Sequence, residues 1–127
     1  MIFLFILQNA YRSDKYNFRN EDEWFRDLNN SHTGRRLKEM LPDIGIIKVV
    51  NASPIIGNDA TSCYMPDVNH IKTMIERYKP HVICACGAIA QQGCKQLGIE
   101  FISLPHPAWR KLSKELTFNI KKRLENL

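Results

Sequence analysis

The sequence predicts an α/β domain built on a four-stranded parallel sheet. Three observations carry that prediction. The chain opens on a continuous apolar run, Ile2–Leu7 (IFLFIL), the pattern of a strand covered on both faces. Three further short apolar runs follow, Ile46–Val50 (IIKVV), His81–Cys86 (HVICAC) and Glu100–Leu104 (EFISL). Segments of helical composition separate the four, and strands alternating with helices pair in parallel through right-handed crossovers.

The elements between the strands are set by local signals. A polar loop, Gln8 to about Asn20, is rich in Tyr, Asn, Arg and Asp. Glu21 to Met40 is helical in composition, with a break near Asn29–Gly34, where NNSHTG supplies turn and cap residues. A second loop, Asn51–Pro66, carries Pro54, Gly57 and Pro66. Asp67 is placed to N-cap a helix whose apolar face is Val68, Ile71, Met74, Ile75 and Tyr78, and Pro80 ends it. Gly87 closes the third strand, and Ala88–Leu97 reads as a small-residue helix stopped by Gly98. Pro105–Trp109 is a loop, and Ser113–Leu124 is the final helix.

With 127 residues and 44% of them hydrophobic, the chain is expected to form one domain with a buried core of its own. That apolar fraction excludes a disordered chain. No apolar run approaches the roughly 20 residues of a membrane span. The apolar start lacks a basic flank and a small-residue cleavage site, so it reads as a strand rather than a signal peptide. A cytoplasmic monomer is the expectation. The four cysteines, Cys63, Cys84, Cys86 and Cys94, form no CxxC pair and read as reduced thiols, with no metal site assigned.

Net charge is +5, from 18 Lys and Arg against 13 Asp and Glu. The segment from His106 to the last residue holds six cations (Arg110, Lys111, Lys114, Lys121, Lys122, Arg123) against two anions. That balance suits a polyanionic partner, with the last helix a candidate for phosphate contacts. An ordinary basic protein would show the same total.

In open parallel sheets, ligands bind beyond the carboxyl ends of the strands. Four loops meet there. They bring Gln8, Asn9 and Tyr11 after the first strand, Asn51 and Ser53 after the second, Gly87 and Ala88 after the third, and His106, Trp109, Arg110 and Lys111 after the fourth. Singly, each has an ordinary explanation, since Asn is a common turn former and a loop His is usually a surface imidazole. Gathered at one rim, they form a polar constellation. Trp24 and Phe25 read as core, Arg35 and Arg36 as a solvated helix face, and His32, His70 and His81 receive no role.

Four segments together resemble the uracil-DNA glycosylase superfamily. LQNAY (7–11) is similar to its water-activating motif, VVNASP (49–54) to the strand whose terminal Asn reads the base, KPHVICACGAIA (79–90) to the third strand and its glycine turn, and LPHPAWR (104–110) to the loop carrying a catalytic His and a DNA wedge. The resemblance covers nearly the whole chain in the right order. It implies a three-layer α/β/α, uracil-DNA glycosylase-like fold and a monofunctional glycosylase acting on uracil, or a related deaminated base, in single- or double-stranded DNA. It implies Asn9 and His106 as catalytic residues, with Gln8, Tyr11, Phe18 and Asn51 around the base. Ser53, Gly87, Ala88, Trp109, Arg110 and Lys111 then contact DNA. No metal or organic cofactor is implied, and the cysteines do not fall where one branch of the superfamily holds an iron–sulfur cluster.

The residue chemistry fits that reading. An Asn amide donates to uracil O4 and accepts from N3–H, whereas cytosine would set donor against donor at N4. A His donor at O2 stabilises the departing base anion. Asn9 positions water but cannot take its proton as a carboxylate does, which predicts slow chemistry. Asp14 is a candidate substitute carboxylate, set against a solvated loop acid. Leu7, Ala10 and Ala108 depart from the family motifs. Two other readings therefore stay open: a catalytically weak or inactive homologue that binds DNA or a modified base without cleavage, and a small nucleotide-binding α/β protein.

Overall fold

A computed structural model describes residues 1–10, 31–58 and 63–127. Four strands, β1 (Ile2–Leu7), β2 (Ile46–Asn51), β3 (Val82–Cys86) and β4 (Ile102–Leu104), form one parallel sheet in the order β2-β1-β3-β4. Its register pairs Leu7 with Asn51 and Cys86 with Leu104. The helices are α1 (His32–Met40), α2 (Val68–Tyr78), α3 (Ala88–Leu97) and α4 (Lys114–Glu125).

β1 lies between two strands and is apolar at every position, so both its faces can be covered. Phe3 to Leu7 are at most 1% exposed. Phe3, Phe5 and Leu7 join Val49, Cys84, Cys86 and Leu104 under Leu37 and Met40 of α1 and Ile120 and Leu124 of α4. Leu4 and Ile6 point the other way, with Val50 and Ala85, under Ile71 and Met74 of α2 and Ala90 and Cys94 of α3. The strand period of two thus builds two cores from one run of residues. Each fully buried Phe or Leu contributes about 1.5–3 kcal/mol. The result is the expected three-layer α/β/α fold.

Strand order explains which helix covers which face. From β1 the chain steps outward to β2, then crosses β1 to reach β3 and continues to β4. Reversing direction while keeping crossovers right-handed moves the helices to the opposite face. The reversal places a switch point between the ends of β1 and β3, where open sheets bind ligands.

Caps confirm most element ends. Ser31, Asp67 and Ser113 N-cap α1, α2 and α4, accepting from the backbone N–H of Gly34, His70 and Leu116. The Glu21–Met40 helix is described only from its Ser31 cap onward; Asp14, Trp24 and Phe25 lie outside the described residues. Several boundaries differ from expectation by a residue or two, and three have a clear cause. Asn51 is the last residue of β2 rather than the first of a loop, because Leu7 offers it a paired partner. β4 begins at Ile102, since among the described residues β4 is an edge strand that pairs only with β3. Lys79, in the left-handed region at φ 46°, caps α2 one residue before Pro80.

The last helix corrects an expectation about charge. α4 starts near the carboxyl ends of the strands and runs back along the sheet for about 18 Å. Its C-terminal turn reaches the opposite edge, where Lys121 pairs with Asp43 at 2.9 Å and Glu125 accepts from the Asp43 N–H at 2.8 Å. Lys122 pairs with Glu125 and lies over the Phe118 ring. These cations fasten the foot of the fold and do not flank the functional loops. Arg110, Lys111 and Lys114 remain at the loop end.

Candidate active site

Two loops are fastened at the ends of β3 and β4. The Leu104 carbonyl, last in β4, accepts from the Gly87 N–H at 2.9 Å and from Gln91 Nε2 at 3.1 Å. The same Nε2 lies 3.4 Å from the Ala85 carbonyl. The following loop is tightly turned. Pro107 is fully buried, Trp109 N–H donates to the His106 carbonyl at 2.9 Å, and Leu112 N–H donates to the Trp109 carbonyl at 3.1 Å. Arg36 of α1 donates to the Leu112 carbonyl, and an ion pair to Glu39 at 3.5 Å steadies its guanidinium. Arg36 thus serves the loop rather than a solvated face.

This framework fixes the state of His106. Its Nδ1 accepts from the Ala108 N–H at 3.0 Å. A nitrogen that accepts carries no proton, so the neutral ring bears its proton on Nε2. Burial lowers the pKa of His106 from its ordinary value of 6.5. The imidazole is therefore neutral at pH 7, a donor through Nε2 alone. Gly87 makes room for it: the residue sits at φ +89°, and a Cβ there would meet the His106 Cβ at 3.0 Å. The imidazole opens on a cleft of about 490 Å³ lined by Gly87, Ala88, Gln91, Pro105 and Trp109 among others.

A second group forms at the ends of β1 and β2. The ladder runs on past the strands, with Ala52 N–H to Leu7 O at 2.9 Å, Ser53 N–H to Gln8 O at 3.1 Å and Gly57 N–H to Ala10 O at 2.8 Å. Asn51 is 1% exposed. Half-buried Asn9 donates through Nδ2 to the Ala10 carbonyl at 2.9 Å. Its Oδ1 is buried and has no hydrogen-bond donor among the described residues. Ser53 is 1% exposed, and its hydroxyl accepts from the Ile55 N–H at 3.3 Å, so it shapes its own loop instead of meeting solvent.

The expected site residues thus fall into two clusters flanking the β1–β3 switch point. Gln8, Asn9, Asn51 and Ser53 lie on one side. Gly87, Ala88, His106 and Trp109 lie on the other, with Arg110 and Lys111 exposed beside them. Asn9 and Asn51 do not line the His106 cleft. At strand spacing, β2 and β4 are roughly 14 Å apart across the sheet, so a shared substrate must lie over the switch point between them. Tyr11 and Phe18 lie outside the described residues. Gln91 and Ser103 line the cleft and escaped the sequence reading. Gln91 carried one usable signal, its position four residues after Gly87, on the same face of the first turn of α3.

Among the described residues no helix is long and apolar enough to cross a membrane, and no group of three or more His, Cys, Asp or Glu is placed to hold a metal ion.

The fold and these strand-end loops define a class, a doubly wound α/β protein with an amide cluster on one side of the switch point and a neutral histidine on the other. The chain matches the family model of the uracil DNA glycosylase superfamily over residues 7–127, and it belongs to that superfamily. No curated protein and no solved structure gave a significant match. Membership supports a glycosylase-like activity and DNA as the class of substrate.

Proposed function

We propose that the protein is a monofunctional DNA glycosylase that hydrolyses the N-glycosidic bond of uracil, or a related deaminated base, in DNA. The observation that carries this reading is His106: neutral, its tautomer held by the Ala108 N–H, with Nε2–H as its single donor. Breaking an N-glycosidic bond leaves negative charge on the departing base. A preorganised donor at pyrimidine O2 stabilises that charge and is worth about 10²–10³ in rate.

The other residues take consistent parts. The target nucleotide must leave the duplex, which costs a few kcal/mol. Trp109, 47% exposed on a loop held at both ends, and Arg110 fill the vacated stack. Lys111 and Lys114 meet phosphates. Asn51 discriminates uracil from cytosine, because in a buried setting a donor facing a donor costs about 1–3 kcal/mol. Asn9 orients the attacking water through Oδ1. The cleavage then runs as hydrolysis: water oxygen bonds to the sugar carbon, the carbon–nitrogen bond breaks with its electron pair going to the base, and the water's proton passes to solvent or base.

A second reading has its own support. Asn9 lacks a carboxylate's basicity, and its Oδ1 is buried. A protein that binds DNA or a modified base without cutting it would tolerate both features.

A labelled uracil oligonucleotide, incubated with the protein and then treated with hot alkali, separates the two. Strand scission is expected, reduced about 10²–10³-fold in His106→Ala and unchanged in His32→Ala, which alters an exposed residue of α1. Scission by His106→Ala at the wild-type rate overturns the assignment of His106. Binding without scission by the wild-type protein selects the second reading.

A further inference from the structure

Gln91 sits one turn into α3, half-buried, with its carboxamide turned onto backbone rather than solvent. We infer that Gln91 is a positioning residue for His106, its carboxamide tying the end of β4 to the end of β3 so that the imidazole is presented in one orientation. The inference rests on the glycosylase reading for its kinetic consequence, but its structural content stands on the free protein.

Four observations carry it. β4 has three residues and, among the described residues, a single partner strand, so its end has little ladder to hold it. The carboxamide adds a tie there: Nε2 has two hydrogens, and they reach the carbonyls of Leu104 at 3.1 Å and Ala85 at 3.4 Å, one on each strand. His106 follows Leu104 by two residues, so a shift of that carbonyl passes directly to the imidazole. Gly87 N–H holds the same carbonyl at 2.9 Å, and Gly87 itself underlies the ring. Gln91 and Gly87 thus fasten, from one helical turn, the platform on which the histidine sits. Both line the cleft that His106 faces.

The role is positional and not chemical. Every Gln91 contact named here is to backbone, and none is to a group that changes charge. Removing it should leave substrate affinity in place and reduce the rate of the bond-breaking step. A displacement near 1 Å of a reacting group can cost about 10²-fold.

The test uses the full chain with Gln91→Leu, which keeps the volume and removes the donors, and Gln91→Glu, which keeps the shape and sets carboxylate oxygens against two carbonyls. Gln92→Ala, at the exposed neighbouring position, is the control. Two readouts are taken: single-turnover cleavage with oligonucleotide affinity, and the His106 ring nitrogens in long-range ¹⁵N–¹H spectra of the free protein. Both Gln91 variants should lose about 10–100-fold in single-turnover rate with affinity within about two-fold, and their ring spectra should show mixed tautomers. Gln92→Ala should match wild type. Wild-type rates and ring spectra in both variants overturn the inference. Should the wild-type protein cleave nothing, the glycosylase reading fails, and the ring spectra alone still decide whether Gln91 orients His106. A loss of affinity equal to the loss of rate, with ring spectra unchanged, also overturns it, since Gln91 would then act on binding.

Discussion

One hydrogen bond decides how His106 behaves. Nδ1 accepts from the Ala108 N–H, so protonating that nitrogen would set two donors face to face at 3.0 Å. Burial opposes the cation as well and lowers the pKa from 6.5. The sign follows for both activity and stability. The folded state holds this proton less tightly than the unfolded state, so stability is fully present above pH 6.5 and declines as pH falls through the lowered value. Activity should follow the same limb, because acid removes the fixed tautomer and loosens the turn that carries it. A pH–rate profile should therefore show its acid half-point below 6.5, and ring shifts followed by NMR should titrate with it. A half-point at or above 6.5 would remove burial from the account of this residue. Asn9 marks the opposite case. Its identity predicts weak water activation, and its buried Oδ1 is consistent with that, but neither feature carries a titration to follow.

At the scale of elements, helix ends show how local chemistry stops a segment. α3 ends at Gly98, φ +67°, where an added Cβ would meet nothing within 4 Å. α2 ends at Lys79 in the same region of backbone space, without glycine's freedom. The left-handed conformation costs an L-residue about 1–2 kcal/mol, and glycine's greater unfolded entropy offsets about 0.5–1 of that. Lys79→Gly should stabilise by about 0.5–1 kcal/mol, and Gly98→Ala should lose a similar amount without any steric clash. Thermal melts followed by circular dichroism should move a few degrees in opposite directions; equal shifts of one sign would refute the argument. These ends also show what the sequence makes legible. Strand β1, the Asp67 cap and the Gly87 and Gly98 stops are written in residue types at fixed spacing, so they are readable directly. Asn51 joined β2 because Leu7 lies beside it, and the basic end of α4 went to the far edge because a helix after a strand runs antiparallel to it. Both depend on contacts between distant segments. Gln91 was hidden for a related reason, since its partners are backbone carbonyls that no side-chain pattern announces.

Across the whole molecule, the two faces of the sheet each carry their own cores, and thiols report on both. Cys84 and Cys86 belong to the face under α1 and α4, and Cys94 to the face under α2 and α3. All three are buried, while Cys63 is exposed. Burial pushes the Cys84 thiol up to about 12 and the Cys94 thiol up to about 11, with Cys86 moved in the same direction. A thiol reacts as its thiolate, so in the folded chain a thiol reagent at pH 8 should modify one cysteine quickly and three only through unfolding. If the chain is one cooperative domain, as its length implies, both cores must open together for any buried thiol to react. Cys84, Cys86 and Cys94 should then be modified with one shared dependence on denaturant, measurable by mass spectrometry of quenched samples. Cys94 reacting ahead of the other two would mean that the α2–α3 layer opens alone, and the single-unit proposal would fail. The same shifts fix the alkaline behaviour. The folded state holds these protons more tightly than the unfolded state, whose thiols titrate near 9.0. Stability is therefore intact below pH 9 and erodes as pH rises toward 11 and 12. Replacing Cys94 with Ala, which leaves a small cavity but no acid, should lower the melting temperature at pH 7 while flattening its decline above pH 9; an unchanged alkaline slope would place the loss on other groups.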